Sequence, residues 1–180
     1  LGESKIFYAK KINDCRIRQV RLVPEHPKAL QDSIDAILNA DIIVIGPGSL
    51  YTSIIPNFLV DGISEAIRAS GAVRAYVLNI MTQDGETDGY TGEDHVRAIL
   101  EHAGGGVIDV CIANSAKVPE KWLAPYRQEG VDQIALDRAE IEALGVALRE
   151  FPLCLPGRYI RHDPDALSRA ILSVWNEFEA

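Results

Sequence analysis

Cysteine, methionine and aromatic residues are all scarce in this 180-residue chain, and so are cations. The three cysteines, Cys15, Cys111 and Cys154, lie far apart, and no two have the short spacing of a zinc knuckle or a redox motif. That excludes a disulfide framework and leaves them as small buried hydrophobes of a reducing cytosol. The one methionine is Met81, and the chain opens Leu1-Gly2-Glu3-Ser4-Lys5 without the basic-then-apolar run of a signal peptide. The expectation is a chain that begins inside a longer protein. No run approaches the ~20 apolar residues of a membrane-spanning helix. With 18 Lys and Arg against 26 Asp and Glu, the net charge is −8. A broad nucleic-acid or anionic-membrane surface needs clustered cations, so neither partner is expected, although a local basic pocket for one small anion is compatible with this balance.

What is plentiful is aliphatic sequence. At 47% hydrophobic and 24% charged residues, the chain has the makings of a folded core, and its length suits a single α/β domain over residues 1–180. Three β-branched or alanine-rich runs, Asp41–Ile45, Ala72–Asn79 and Val107–Ala113, read as strands buried on both faces of a parallel sheet. Shorter strands are expected at Ile17–Val23, Val131–Ala135 and Val146–Phe151. Helical periodicity predicts helices from Pro27 to Leu38, Leu59 to Ala69, Glu93 to His102, Val118 to Gln128 and Asp163 to about Phe178, the last with Asp163 as N-cap and Pro164 at its first position. Strand, crossover helix and strand in alternation predict a Rossmann-like three-layer α/β fold with a mainly parallel sheet.

Ligands of such sheets bind beyond the carboxyl ends of the strands, which directs attention to three loops. In Gly46-Pro47-Gly48-Ser49-Leu50-Tyr51-Thr52-Ser53 the glycines permit close approach to a ligand. The amides from Gly48 onward and the hydroxyls of Ser49, Thr52 and Ser53 can face a phosphate. No Lys follows as in a P-loop, and Tyr51 stands where a dinucleotide fingerprint has its third glycine. The same residues also suit a tight turn with capping hydroxyls. The second loop, 79–91, is long for its place. Asn79, Met81, Thr82, Gln83 and Thr87 are candidates for reading ribose or sugar hydroxyls. Asp84, Glu86 and Asp88 are candidates for a hard cation such as Mg²⁺, or simply for turns. The third loop offers Asn114, as suited to a turn cap as to a ligand. Of the four histidines, which form no metal-binding spacing, His95 and His162 are additional candidates for the cleft, with a surface or helix-start position as their other reading. His26 and His102 are expected in solvent, and Trp122 and Trp175 in the core or an interface. No catalytic residue can be named, and no nucleophile elbow is present.

Three ordered blocks resemble one family. Ala40-Asp41, the Gly46–Ser53 loop and Pro56-Asn57 are similar to the central block of CofD-like proteins. Asn79–Gln83, Gly85–Thr91 and Asp94-His95-Val96 are similar to the next block, and Ile160-Arg161-His162-Asp163-Pro164 with Leu167 to the C-terminal motif. Gly2-Glu3-Ser4 resembles a mid-chain stretch of such proteins. The Gly48-Ser49 pair, where the transferase branch has Ser-Asn, resembles the YvcK-type branch, the gluconeogenesis factors tied to cell shape and carbon-source adaptation.

The resemblance implies the C-terminal part of a longer protein, since the glycine-rich opening loop and aspartate-rich segment of the family are missing. It further implies a cytoplasmic UDP-sugar-binding regulator, with a nucleotide as small-molecule ligand and a tendency to homo-oligomers. Two other functions stay open: a 2-phospho-L-lactate transferase-like enzyme acting on a deazaflavin acceptor, and a structural module without ligand.

Overall fold

Valine, isoleucine and alanine fill the strands because both faces of the sheet are covered. The computed structural model describes residues 5, 16–155 and 159–179; Gly2-Glu3-Ser4 and Cys15 lie outside them. Four strands, β1 (Ile42–Ile45), β2 (Val73–Val77), β3 (Val110–Asn114) and β4 (Ala147–Phe151), pair in parallel in the order β1-β2-β3-β4. The three expected buried runs are therefore strands, in parallel register, as is the shorter run before Phe151.

Each strand lies beside its predecessor, so crossovers of one hand must leave their helices on one face. That face carries α2 (Ile55–Phe58), α3 (Ile63–Ala69), α4 (Gly92–Ala103) and α6 (Arg138–Ala143), packed over Ile45, Tyr76, Cys111 and Leu148. The other face, with Val73, Ala75, Val110 and Ile112, is covered by the last helix, α7 (Pro164–Glu179), through Ala170 and Val174. Alternation along each strand sends odd and even residues to opposite helix layers. The expected three-layer Rossmann-like fold is present.

Asp163 caps α7: its Oδ1 accepts from the amides of Asp165 and Ala166 at 2.9 and 3.1 Å. Thr91 and Asp94 form a reciprocal capping box at the start of α4.

Several expectations are corrected. Helix α1 spans Gln31–Leu38 instead of starting at Pro27, because Lys28 bridges to Asp61 in extended form. The helix expected from Leu59 begins at Ile63, after Gly62 at φ 98°. Val118 and Pro119 precede α5 (Glu120–Gln128) in extended conformation. Among the described residues Ile17–Val23 forms no ladder; Ile17 and Val20 pack against the core, the Val20 amide donates to His102 and the Ile17 carbonyl accepts from the Tyr51 hydroxyl. Val131–Ala135 is no strand either. It pairs briefly with the loop after β2 through Thr82 N–H to Asp132 and Ile134 N–H to Ile80, where that loop has already left the sheet. Strand β1 was expected to be buried on both faces, but Val44, on the α7 side, is 41% exposed. Among the described residues β1 has one neighbour, and α7 packs mainly on β2 and β4, with Ile42 at the margin of its apolar cluster. The short α6 and the two-stranded antiparallel pair β5 (Cys154–Leu155) and β6 (Arg161–His162) were not foreseen.

Candidate functional site

The carboxyl ends of β1 and β2 open into a cleft of about 590 Å³. Pro47, Gly48 and Ser49 line it from the loop after β1; Asn79, Ile80, Met81 and Gln83 line it from the loop after β2. The third wall comes from far along the chain, as Ile160, Arg161 and His162. Three segments widely separated in sequence thus meet at the position where α/β sheets bind ligands.

Each wall is held by named bonds. After β1, Gly46 at φ 84° turns the chain out of the sheet, a conformation that favours glycine. A π-helix over Leu50–Ile54 then runs into α2. Asn79 Nδ2 donates to the Gly48 carbonyl at 2.8 Å, joining the first loop to the second. His162 Nε2 donates to the Leu78 carbonyl at 3.1 Å, so β6 is pinned to the end of β2. The Ile160 amide donates to the Tyr126 hydroxyl at 2.9 Å, which ties the same wall to α5. Below the cleft, Ile80, Val118 and Leu123 form a small apolar floor with Met81, Trp122 and Ile160 packed on it.

Among the described lining residues, the one formal charge is Arg161. Its guanidinium lies 5.9 Å from the Tyr159 ring centroid, within cation–π range. Arg74, Arg127, Arg138 and Arg149 each hold a carboxylate. Arg161 makes no such ion pair among the described residues. Burial lowers the pKa of His162 below the ordinary value, so the imidazole that bonds Leu78 is neutral around neutral pH. Among the described lining residues Arg161 faces no carboxylate, so the cleft wall carries a positive charge on an acidic chain.

The remaining sequence candidates sit elsewhere. Tyr51 is buried, its hydroxyl 2.9 Å from that of Tyr90 and within reach of the Ile17 carbonyl; burial and the neighbouring phenol push its pKa well up. Thr82 exchanges bonds with the backbone of Asp132. Thr87 Oγ1 accepts from the Gln83 amide, and Asp88 accepts from the Gly85 amide. Glu86 is 3% exposed and turns its carboxylate to the amides of Tyr51 and Thr52. Gly46 and Ser53 are exposed, and neither they nor Thr52 line the cleft. Asn114 is spent on Ala116 and on the Leu153 amide, beside the last strands.

His95 is neither at the cleft nor on the surface. It is 1% exposed, edge-on to Tyr90, with Nδ1 donating to the Thr91 carbonyl, and burial lowers its pKa. His102, expected in solvent, accepts from the Val20 amide and donates to the Ala98 carbonyl. Among the described residues, no group of three His, Cys, Asp or Glu is placed to hold a metal ion. The residue that sequence reasoning passed over is Arg161. It was visible only as part of the Ile160–Pro164 block, and no local signal says that β6 folds back over the cleft.

A parallel α/β sheet covered by helices on both faces, with a cleft at its carboxyl ends, defines a protein of the Rossmann-like fold class. The family model described as 2-phospho-L-lactate transferase CofD matches residues 1–154, and the chain belongs to this family. It is 42% identical over 172 residues to a protein named gluconeogenesis factor from Halalkalibacterium halodurans, covering 95% of this chain and 52% of the relative. It is 39% identical over 163 residues to the gluconeogenesis factor of Bacillus subtilis, covering 90% of this chain and 51% of that protein. A crystal structure of a UPF0052 family member from Bacillus halodurans superposes with a TM-score of 0.90 at 42% identity, over 95% of this chain and 54% of the other. The chain spans about half the length of these relatives. No helix among the described residues is long and apolar enough to cross a membrane.

Proposed function

We propose that the cleft binds a nucleotide or nucleotide-sugar, with UDP-sugars as the favoured class, and that the chain serves a cytoplasmic regulator of carbon metabolism and cell shape. The observation that carries this reading is the lining itself. Arg161, the Ser49 hydroxyl and the backbone at Gly48 converge on one cleft, and none of its described lining residues is a carboxylate that would repel a phosphate. The amides of Asn79 and Gln83 add polar groups for hydroxyls, and Ile80, Met81 and Ile160 supply an apolar wall for a base or sugar face. The name gluconeogenesis factor borne by the relatives supports the carbon-metabolism part.

The test is calorimetric titration of this chain with UDP-N-acetylglucosamine, GDP and NAD. An Arg161→Ala variant should weaken the best of these by at least about tenfold, the loss expected for one charge-assisted hydrogen bond. No binding by the native chain, or equal binding by the variant, sinks the reading. The second reading, phospholactate transfer, is favoured by the description of the matching family. Turnover with a deazaflavin acceptor, assayed on a full-length relative, decides for it.

A further inference from the structure

The amides just past Gly46-Pro47-Gly48-Ser49 are where a phosphate would be expected at the start of a helical turn. The protein has already filled part of that position with a carboxylate of its own. Glu86 Oε1 accepts from the Tyr51 amide at 2.5 Å and from the Thr52 amide at 3.1 Å, and the Thr52 hydroxyl donates to Oε2 at 3.4 Å. Glu86 is 3% exposed and does not line the cleft, so this carboxylate sits behind the loop rather than in the ligand's path.

We propose that Glu86 is a positioning residue: its carboxylate acts as a built-in counter-anion that locks the Gly46–Ser53 loop in its binding geometry before any ligand arrives. The inference rests on the reading of the cleft as a nucleotide site, and it deepens that reading by excluding Tyr51 and Thr52 from direct phosphate contact.

Two side chains make the lock, one on each side of the cleft wall. Asn79 joins the second loop to the carbonyl of Gly48, and Glu86 joins it to the amides of Tyr51 and Thr52. Gly48 and Ser49, which face the cleft, therefore lie between two fixed points. Both clamps come from one loop, whose Met81 and Gln83 also line the cleft. Holding two walls in fixed register lowers the ordering cost of binding. Bonds from amides to a buried carboxylate are of the charge-assisted kind, and a pair of them is hard to replace with water. The segment they hold is a π-helix, a form uncommon in long runs and in need of outside support.

A strut and a displaceable stand-in differ in what ligand does to them. If Glu86 were a stand-in, a bound phosphate would eject it and take over the Tyr51 and Thr52 amides. If it is a strut, those bonds are the same with and without ligand. Amide exchange of Tyr51 and Thr52, followed by NMR on the whole 180-residue chain, separates the two. Both amides should be protected in the native chain, with protection unchanged by saturating UDP-N-acetylglucosamine. Glu86→Ala should raise their exchange by at least about tenfold. Glu86→Gln, which keeps the size and one good acceptor, should restore part of that protection and part of the affinity. Calorimetry should then show Glu86→Ala losing affinity while Arg161→Ala, with its loop protection intact, loses affinity by direct contact. Exchange unaltered in Glu86→Ala overturns the proposal, as does loss of protection on adding ligand to the native chain. A native chain that binds none of the probes defeats the nucleotide reading of the cleft, and the exchange data still decide whether Glu86 locks the loop.

Discussion

Replacing Gly46 by Ala probes the loop at the point where it leaves β1. The backbone there has φ 84°, and an added Cβ would stand 3.1 Å from the Val77 carbonyl oxygen and 3.2 Å from Ile54 Cδ1. The left-handed conformation costs a non-glycine residue about 1–2 kcal/mol. The contact with Ile54 can relax by a small side-chain shift, but the Val77 carbonyl belongs to the central sheet and cannot move freely. Overpacking of this kind costs about 1–3 kcal/mol. Together the substitution should destabilise the chain by about 2–5 kcal/mol, a large share of the roughly 5–15 kcal/mol typical of a domain. For a chain of this size that is a fall in Tm of roughly 4–20 °C.

Gly48, two residues on, is the control. Its φ is outside the left-handed region, and an added Cβ meets Ser53 Cβ at 3.5 Å and Ile54 Cγ1 at 3.8 Å, ordinary contacts. Gly48→Ala should leave stability within about 0.5 kcal/mol, while a larger side chain such as Gly48→Val should cut nucleotide binding by occupying the cleft wall without unfolding the chain. Denaturant titration of the two alanine variants side by side is the assay. If both lose equal stability, or if Gly46→Ala is neutral, then the geometry of this loop is not what sets its tolerance, and the placement of the cleft wall fails with it.

Two further outcomes follow from titration and from the sheet edge. His95 and His162 have pKa values lowered by burial, so the unfolded chain binds protons more readily than the folded one. Their contribution to stability is complete above the unfolded histidine value near ~6.5 and is lost as pH falls from there through the folded values; denaturation curves at pH 8 and pH 5.5 should show the midpoint dropping, and His95→Gln should flatten the dependence. Flat stability across that window removes the argument. Strand β1 presents Ile42–Ile45 without a charge, one described neighbour and a half-exposed Val44, the kind of edge that pairs with other chains. Light scattering at micromolar concentration should show a dimer or larger species that Val44→Lys reduces toward monomer, and a stable monomer in the native chain refutes this.

Much of the fold was legible because buried strands and capped helices write themselves in local composition. Ala72–Asn79 and Val107–Ala113 are β-branched or alanine-rich because both of their faces meet helices, Asp41–Ile45 carries the same composition although Val44 is left exposed at the sheet edge, and Asp163-Pro164 reads as a helix start because its cap is made by near neighbours. The two loops after β1 and β2 were legible for the same reason, since glycines and hydroxyls crowd where a strand ends at a cleft. Ile17–Val23 misled because an extended segment with apolar residues on its inner side has the pattern of a strand whether or not a ladder partner lies beside it. Local pattern could not say which polar side chains face the cleft and which are consumed behind it. Glu86, Thr87 and Asp88 belong to the same short polar run as Gln83, yet only Gln83 lines the cleft, because the loop's turn sends the other three to backbone amides. Arg161 entered the site only when β5 and β6 folded back and His162 met the Leu78 carbonyl, a contact across 84 residues of chain. Periodicity and propensity act over a turn or a strand, so they determined the layers. The occupants of the cleft were decided by long-range packing, which has no local signature.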